Sequence, residues 1–250
     1  MALLLSFTKE LYKVEELMNR EIRLKLAKTD DLIDIKAHNL DKRLCSSLVL
    51  AVGRTMKEAE NAIISLAAVV QYIYLAHHIH GLVSDDTKRD GCHQYHVLFG
   101  DFLFGQSFLK LCESELFNFA GQFVQVIGTM NEGILMRWRM RNKTISTKDY
   151  KIIISKERAA LLALAAKLGG VLAGIKEPEL KKIESYGHSI GMAWAAWEDS
   201  LYPTLVNEYF DKAKATIQDL SPFLHVKPLQ ELYDFFYTET KYDSLLYSVK

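Results

Sequence analysis

The sequence predicts an all-α protein, a single domain spanning residues 1–250 and built as one helical bundle. Three observations point there. None of the four prolines lies before residue 178. Proline removes a backbone donor and clashes with the preceding turn, so a long proline-free tract suits long helices. Apolar residues recur at three- and four-residue intervals, whereas no stretch of useful length shows the period-two alternation of a half-buried strand, and no internal repeat is present.

In chain order, Leu11, Val14, Leu17, Met18, Ile22, Leu24 and Leu26 trace the inward stripe of a first amphipathic helix. Residues 59–82 are apolar on nearly every side and predict a central helix buried all round. "HVLFGDFLFGQSFLKL" and "LFNFAGQFVQVIGTMNEGILM" predict two more heavily buried helices, with Gly100, Gly105, Gly121 and Gly128 expected to permit close helix–helix approach. Ser146 and Asp149 form a capping-box-like start for one helix through "ERAALLALAAKLGGVLAG". Gly169, Gly170 and Gly174 mark its end, and Pro178 opens the next helix at its first turn.

Charged residues make up 25% of the chain and cancel to a net charge of zero, so no basic or acidic tail suggests nucleic acid or a membrane surface as partner. Cys45, Cys92 and Cys112 are odd in number and widely spaced, which predicts reduced thiols and a cytoplasmic location. "MALLLSF" is too short an apolar run for a secretory signal. The central apolar run is broken by Ser65 and Gln71, so no stable membrane insertion is expected.

The chemistry-bearing residues concentrate in "HHIHGLVSDDTKRDG", with three histidines and three aspartates between His77 and Gly91. His77, His80, Cys92, His93 and His96 lack zinc-finger spacing and contain no HExxH pattern, so ordinary hydrogen-bonded histidines are the simpler expectation. Asp86 and Asp90 stand four apart and share a helix face, as magnesium ligands do; with Lys88 and Arg89 between them, a solvated helix end is equally expected. Residue types alone leave the two open.

Order along the chain carries a resemblance. "VLFGDFLFGQS" is similar to the "VLAGDYLLA" helix that follows the first aspartate-rich motif of trans-isoprenyl diphosphate synthases, and "YGHSIGMAWAAWEDSLY" to their second motif, "YGxxIGxAFQIxDDxLD". "KDYKIIISKERAALLALAAKLGGVLAG" and "NLDKRLCSSLVL" resemble two further segments, in the family's order and over nearly the whole chain. The resemblance implies the isoprenoid-synthase helical bundle. It also implies substrate-binding positions at Lys42, Arg43, Lys88 and Arg89, a chain-length wall at His77, His78 and Leu82, and a subunit interface on the two helices carrying Phe99, Phe102, Phe108, Phe117 and Phe123. About half of those phenylalanines are expected to face the core instead.

The departures fall on chemistry. Gly81 and Leu82 stand where the family's first two metal-binding aspartates belong, with only Asp85 retained; Glu198 and Asp199 replace the second pair, and Tyr202 its last aspartate. The family's lysine becomes Glu157, a glutamine becomes Met136, an arginine becomes Cys45, and Tyr74 takes a histidine's place. After Tyr202 the chain lacks the family's "GKDLGKPTLP"-type region. Ionising an allylic diphosphate needs metal ions and cations to stabilise the leaving charge, so the expectation is no catalytic residue, no metal and no cofactor on this chain.

"KRDG…VLFGD" resembles the small, component I subunit of heptaprenyl or hexaprenyl diphosphate synthases. That resemblance implies a non-catalytic subunit whose large partner, in a heterodimer or a dimer of heterodimers, binds Mg2+ and elongates farnesyl diphosphate with isopentenyl diphosphate, for a menaquinone side chain. Isopentenyl and allylic diphosphates would then be met through the complex. Two alternatives stand beside it: an active prenyltransferase using a shifted Asp85-Asp86-Asp90 motif, and a stand-alone helical binding module.

Overall fold

The computed structural model describes residues 5–25, 43–56, 61–83 and 91–247, and every element among them is a helix. In order these are α1 (Thr8–Lys25), α2 (Leu44–Gly53), α3 (Asn61–Gly81), α4 (Gly91–Glu113), a 3-10 turn (Phe117–Phe119), α5 (Ala120–Met140), α6 (Thr147–Ile154), a π-turn (Ser155–Ala159), α7 (Ala160–Leu172), α8 (Glu179–Asp199), α9 (Pro203–Leu220) and α10 (Lys227–Tyr247).

α3 is the axis. Tyr72, Ile73, Ala76 and Ile79 are all but fully buried, in one contiguous core that also takes residues from α1, α2, α4, α5, α7, α8, α9 and α10. By length and composition α3 could cross a membrane, but 78% of its most apolar window is buried inside the bundle, as in a core helix. Its polar groups are satisfied by neighbours. The Tyr72 hydroxyl donates to Glu21 of α1 at 2.8 Å, and Glu21 also pairs with Lys110 of α4. Gln71 accepts from the Ser46 amide and hydroxyl of α2, at 3.2 and 3.3 Å.

The expected single helix after Ser146 does begin with a cap: the Ser146 hydroxyl accepts from the Asp149 amide at 3.1 Å. It is then interrupted by the π-turn, whose extra residue re-aims the side chains at 157 and 158. The alanine-rich run beyond continues as α7, closed at Gly174 with φ +80°.

Small residues on α8 set how closely it packs. A Cβ at Gly187 would stand 2.4 Å from the Leu162 carbonyl oxygen, and one at Gly191 would stand 2.7 Å from the Ala159 Cα. Of the four glycines expected to allow close approach, only Gly100 does so, with the His80 ring in the space of its missing side chain. Gly105, Gly121 and Gly128 face open space instead.

The proposed interface phenylalanines divide. Phe123 is fully buried and Phe99 nearly so, with Phe99 stacked between Tyr95 and Phe102; these two are core residues and not interface anchors. Phe102 and Phe108 are half-buried against the core, while Phe117 is exposed.

Candidate functional site

α5, the π-turn and α8 converge around the Glu198–Asp199 pair of the second motif. Gly133 lets α5 approach the π-turn: a Cβ there would stand 2.6 Å from the Glu157 amide nitrogen. At this junction the acids are all paired. Arg137 of α5 bonds Glu157 through Nε at 2.6 Å and Asp199 of α8 through Nη2 at 2.8 Å. The Tyr150 hydroxyl donates to the same Asp199 oxygen at 3.0 Å, and Arg158 bonds Glu198. Lys156 and Glu132 add a pair at the rim, at 2.8 Å.

Electrostatics follow from this packing. Burial on its own would lower the Arg137 pKa, yet the charges of Glu157 and Asp199 outweigh it and raise it. The same balance holds for Arg158, where burial is outweighed by Tyr74, Glu198, Glu157 and Asp199. Burial, then the Asp199 charge, pushes the Tyr150 hydroxyl up, so it stays protonated and donates.

Of the predicted site residues, Glu198 and Asp199 are brought together here. Tyr202 is turned away: its hydroxyl donates to the Ile145 carbonyl and its ring lies 4.9 Å from that of Tyr150. Gly81 ends α3 and Leu82 is exposed beyond it. Arg43 precedes α2 and is gripped by Glu15 of α1, with contacts at 2.5 and 3.3 Å. Lys42, Asp85, Asp86, Lys88, Arg89 and Asp90 lie outside the described residues. His78 stacks on Tyr74, while the His80 Nε2 sits 3.2 Å from both the Val97 carbonyl and the Asp101 carboxylate. No three metal-ligating side chains cluster among the described residues.

Mg2+, the ion implied by the family resemblance, needs carboxylate oxygens open to it. Arg158 takes one oxygen of Glu198, and Arg137 takes one oxygen of Asp199. With the guanidiniums neutralising their charge, these two donors, as arranged, fit the ion poorly.

Arg137, Arg158 and Tyr150 of this network escaped the sequence reading. A signal for the second was present: "KER" places a cation directly after the reversed charge at Glu157. Arg137 had only its neighbour Met136, a replaced family position, to point at it.

His77 is buried on α3, and burial first, then the Arg158 charge, pushes its pKa down to about 3. The unfolded chain takes up this proton near the ordinary value of about 6.5, whereas the folded chain resists until about 3. The resulting stability is present above pH 6.5 and is lost as pH falls through that window. Between pH 7 and pH 5 the loss is about 2 kcal/mol, at about 1.4 kcal/mol per pH unit below 6.5. His77→Gln should flatten the urea-denaturation profile by that amount; a profile parallel to the parent's would refute it.

The family described as polyprenyl synthetase is matched over residues 30–221. Octaprenyl diphosphate synthase of Escherichia coli (strain K12) is 25% identical over 170 residues, covering 64% of this chain and 53% of that protein. Heptaprenyl diphosphate synthase component 2 of Geobacillus stearothermophilus is 26% identical over 186 residues, covering 68% and 57%. The matched stretch is thus about half the length of the first of these relatives. The solved polyprenyl synthase from Caulobacter crescentus CB15, complexed with calcium and isoprenyl diphosphate, superposes with a TM-score of 0.77 at 21% identity, covering 92% of this chain and 95% of that one. The all-helical isoprenoid synthase fold is therefore shared.

Proposed function

Because the chain belongs to the polyprenyl synthetase family, we propose that it serves as a non-catalytic subunit of a heteromeric trans-polyprenyl diphosphate synthase. The observation that carries this reading is the arginine pairing of Glu157, Glu198 and Asp199. A carboxylate engaged by a guanidinium is a poor ligand for Mg2+, and diphosphate departure depends on metal-assisted charge stabilisation. The same pairing weighs against the alternative with a shifted Asp85-Asp86-Asp90 motif, since that enzyme would need Glu198 and Asp199 as its second metal site.

The catalytic partner would supply Mg2+ and both aspartate motifs. The surface suited to it lies on α4, the 3-10 turn and the first half of α5, where Leu109, Phe117 and Val124 are exposed. Gly105, Gly121 and Gly128 leave room beside them for another helix. Phe117, unlike Phe99 and Phe123, is available as an anchor there. That a matched relative is named as component 2 of a synthase is in keeping with a multi-component assembly.

The test is elongation of farnesyl diphosphate with isopentenyl diphosphate and Mg2+, using this chain alone and then with a full-motif synthase from the same genome. No product from the chain alone, product from the pair and co-elution on size exclusion are expected. Product from the chain alone would overturn the proposal. Absence of both product and complex in the mixture would favour a stand-alone module.

A further inference from the structure

We propose that the end of α5 and the turn into α6 form a peripheral docking surface for an anionic phospholipid bilayer. The proposal does not depend on the subunit reading. Arg139, Arg141, Lys143 and Lys148 are all exposed within ten residues. Beside them Leu135 and Trp138 are 56% and 54% exposed, and the Arg141 guanidinium lies 4.2 Å from the centre of the Trp138 ring. The α8–α9 turn joins this surface: Tyr202 bonds Ile145, and its neighbour Leu201 is 55% exposed.

Of the nearby acids, Glu132 is paired with Lys156, while Asp149 accepts from the Ser146 hydroxyl in the cap of α6 and keeps its charge. Helix electrostatics accounts for only part of the cationic cluster. Cations in the last turn of α5 complement its negative end, but Lys148 stands in the first turn of α6, where a positive charge is disfavoured.

Cations around an exposed tryptophan and leucines form a pattern suited to the bilayer interface. The tryptophan ring settles at headgroup level while the lysines and arginines face anionic headgroups. An acidic protein surface would also pair with these cations and could use Trp138 as an anchor. Protein hot spots seldom use leucine, however, so the exposed Leu135 and Leu201 favour the bilayer. α5 stays packed in the bundle through Phe123, Val126 and Met130, so contact is peripheral and the helix does not insert. The net charge of zero concealed this surface, because it averages over the whole chain while residues 133–148 carry five cations and no acid.

The test is flotation of the purified full chain with phosphatidylglycerol–phosphatidylcholine vesicles and with phosphatidylcholine vesicles alone. Flotation is expected with the first only, weakening as salt rises. Replacing Arg139, Lys143 and Lys148 together by serine should weaken binding about 100-fold, roughly fivefold for each cation. Trp138→Ser should weaken it about tenfold, the order expected for withdrawing one interfacial aromatic anchor. Urea midpoints of both variants should match the parent. The proposal is overturned if the chain does not float, or if the variants float as the parent does. It is also overturned if they float normally but no longer co-elute with a partner synthase, which would make this a protein contact.

Discussion

Replacing Arg137 with alanine is expected to lower the stability of the chain by about 2–4 kcal/mol, read as a fall in the urea midpoint at unchanged slope. The substitution removes the cation shared by Glu157 and Asp199, whose side chains are 11% and 18% exposed. It leaves two neighbouring like charges with only the Tyr150 hydroxyl on Asp199 and the field of Arg158 to offset them. Breaking one partner out of a buried pair costs about 3–5 kcal/mol. The lower range applies because Arg137 is itself 29% exposed and water screens the site. The discriminating measurement is the double variant Arg137→Met/Glu157→Gln, which removes both the cation and one of the stranded carboxylates. It should recover at least half of the loss. A loss below about 1 kcal/mol for the single variant, within the range of an ordinary surface ion pair, would mean that the network is a surface decoration. Failure of the double variant to recover would show that Arg137 acts through its packing and not its charge.

Phe123→Ala should cost about 3–5 kcal/mol, whereas Phe117→Ala should change stability by no more than about 0.5 kcal/mol. Phe123 is fully buried beneath α5, so truncation opens a cavity that the surrounding helices fill only in part. Phe117 is 60% exposed on the 3-10 turn and loses little by truncation in the isolated chain. If the α4–α5 surface takes a partner helix, Phe117→Ala should instead weaken co-elution with that partner, by the 1–2 kcal/mol of a moderate interface anchor. Equal stability losses at the two positions would contradict the division between core and surface. A partner complex indifferent to Phe117 would place the interface elsewhere.

The two phenylalanines show where the sequence was readable and where it was not. Both sit in an apolar run whose helical character is plain from spacing. Which of them faces inward depends on the 3-10 turn at Phe117–Phe119, which resets the helical phase just before α5 begins. The glycines behaved likewise. Gly187 and Gly191, in the second motif, serve the contact with Leu162 and Ala159, while Gly121 and Gly128 lie on a face with nothing opposite. A glycine announces room, but only the neighbouring helix decides whether the room is used.

Fold class, the helices α1, α3, α4, α5 and α8, the Ser146 cap and the closing Gly174 were legible because each rests on residues within one or two turns of one another. Gly169 and Gly170, also read as the end of the alanine-rich helix, lie inside α7. Helix periodicity and capping are local and survive in one dimension. The state of the candidate site was legible only as losses: Gly81, Leu82 and Glu157 standing where acids and a lysine were expected. What took their place was decided in three dimensions. Arg137 reaches Glu157 across 20 residues and Asp199 across 62, and Arg158 reaches Glu198 across 40. Those pairings depend on one π-turn and on Gly133 letting α5 in close. Coulomb attraction falls with distance in space and takes no account of distance along the chain. The sequence could therefore show that a charge had been reversed at Glu157, but only the packed helices could bring the arginine that answers it.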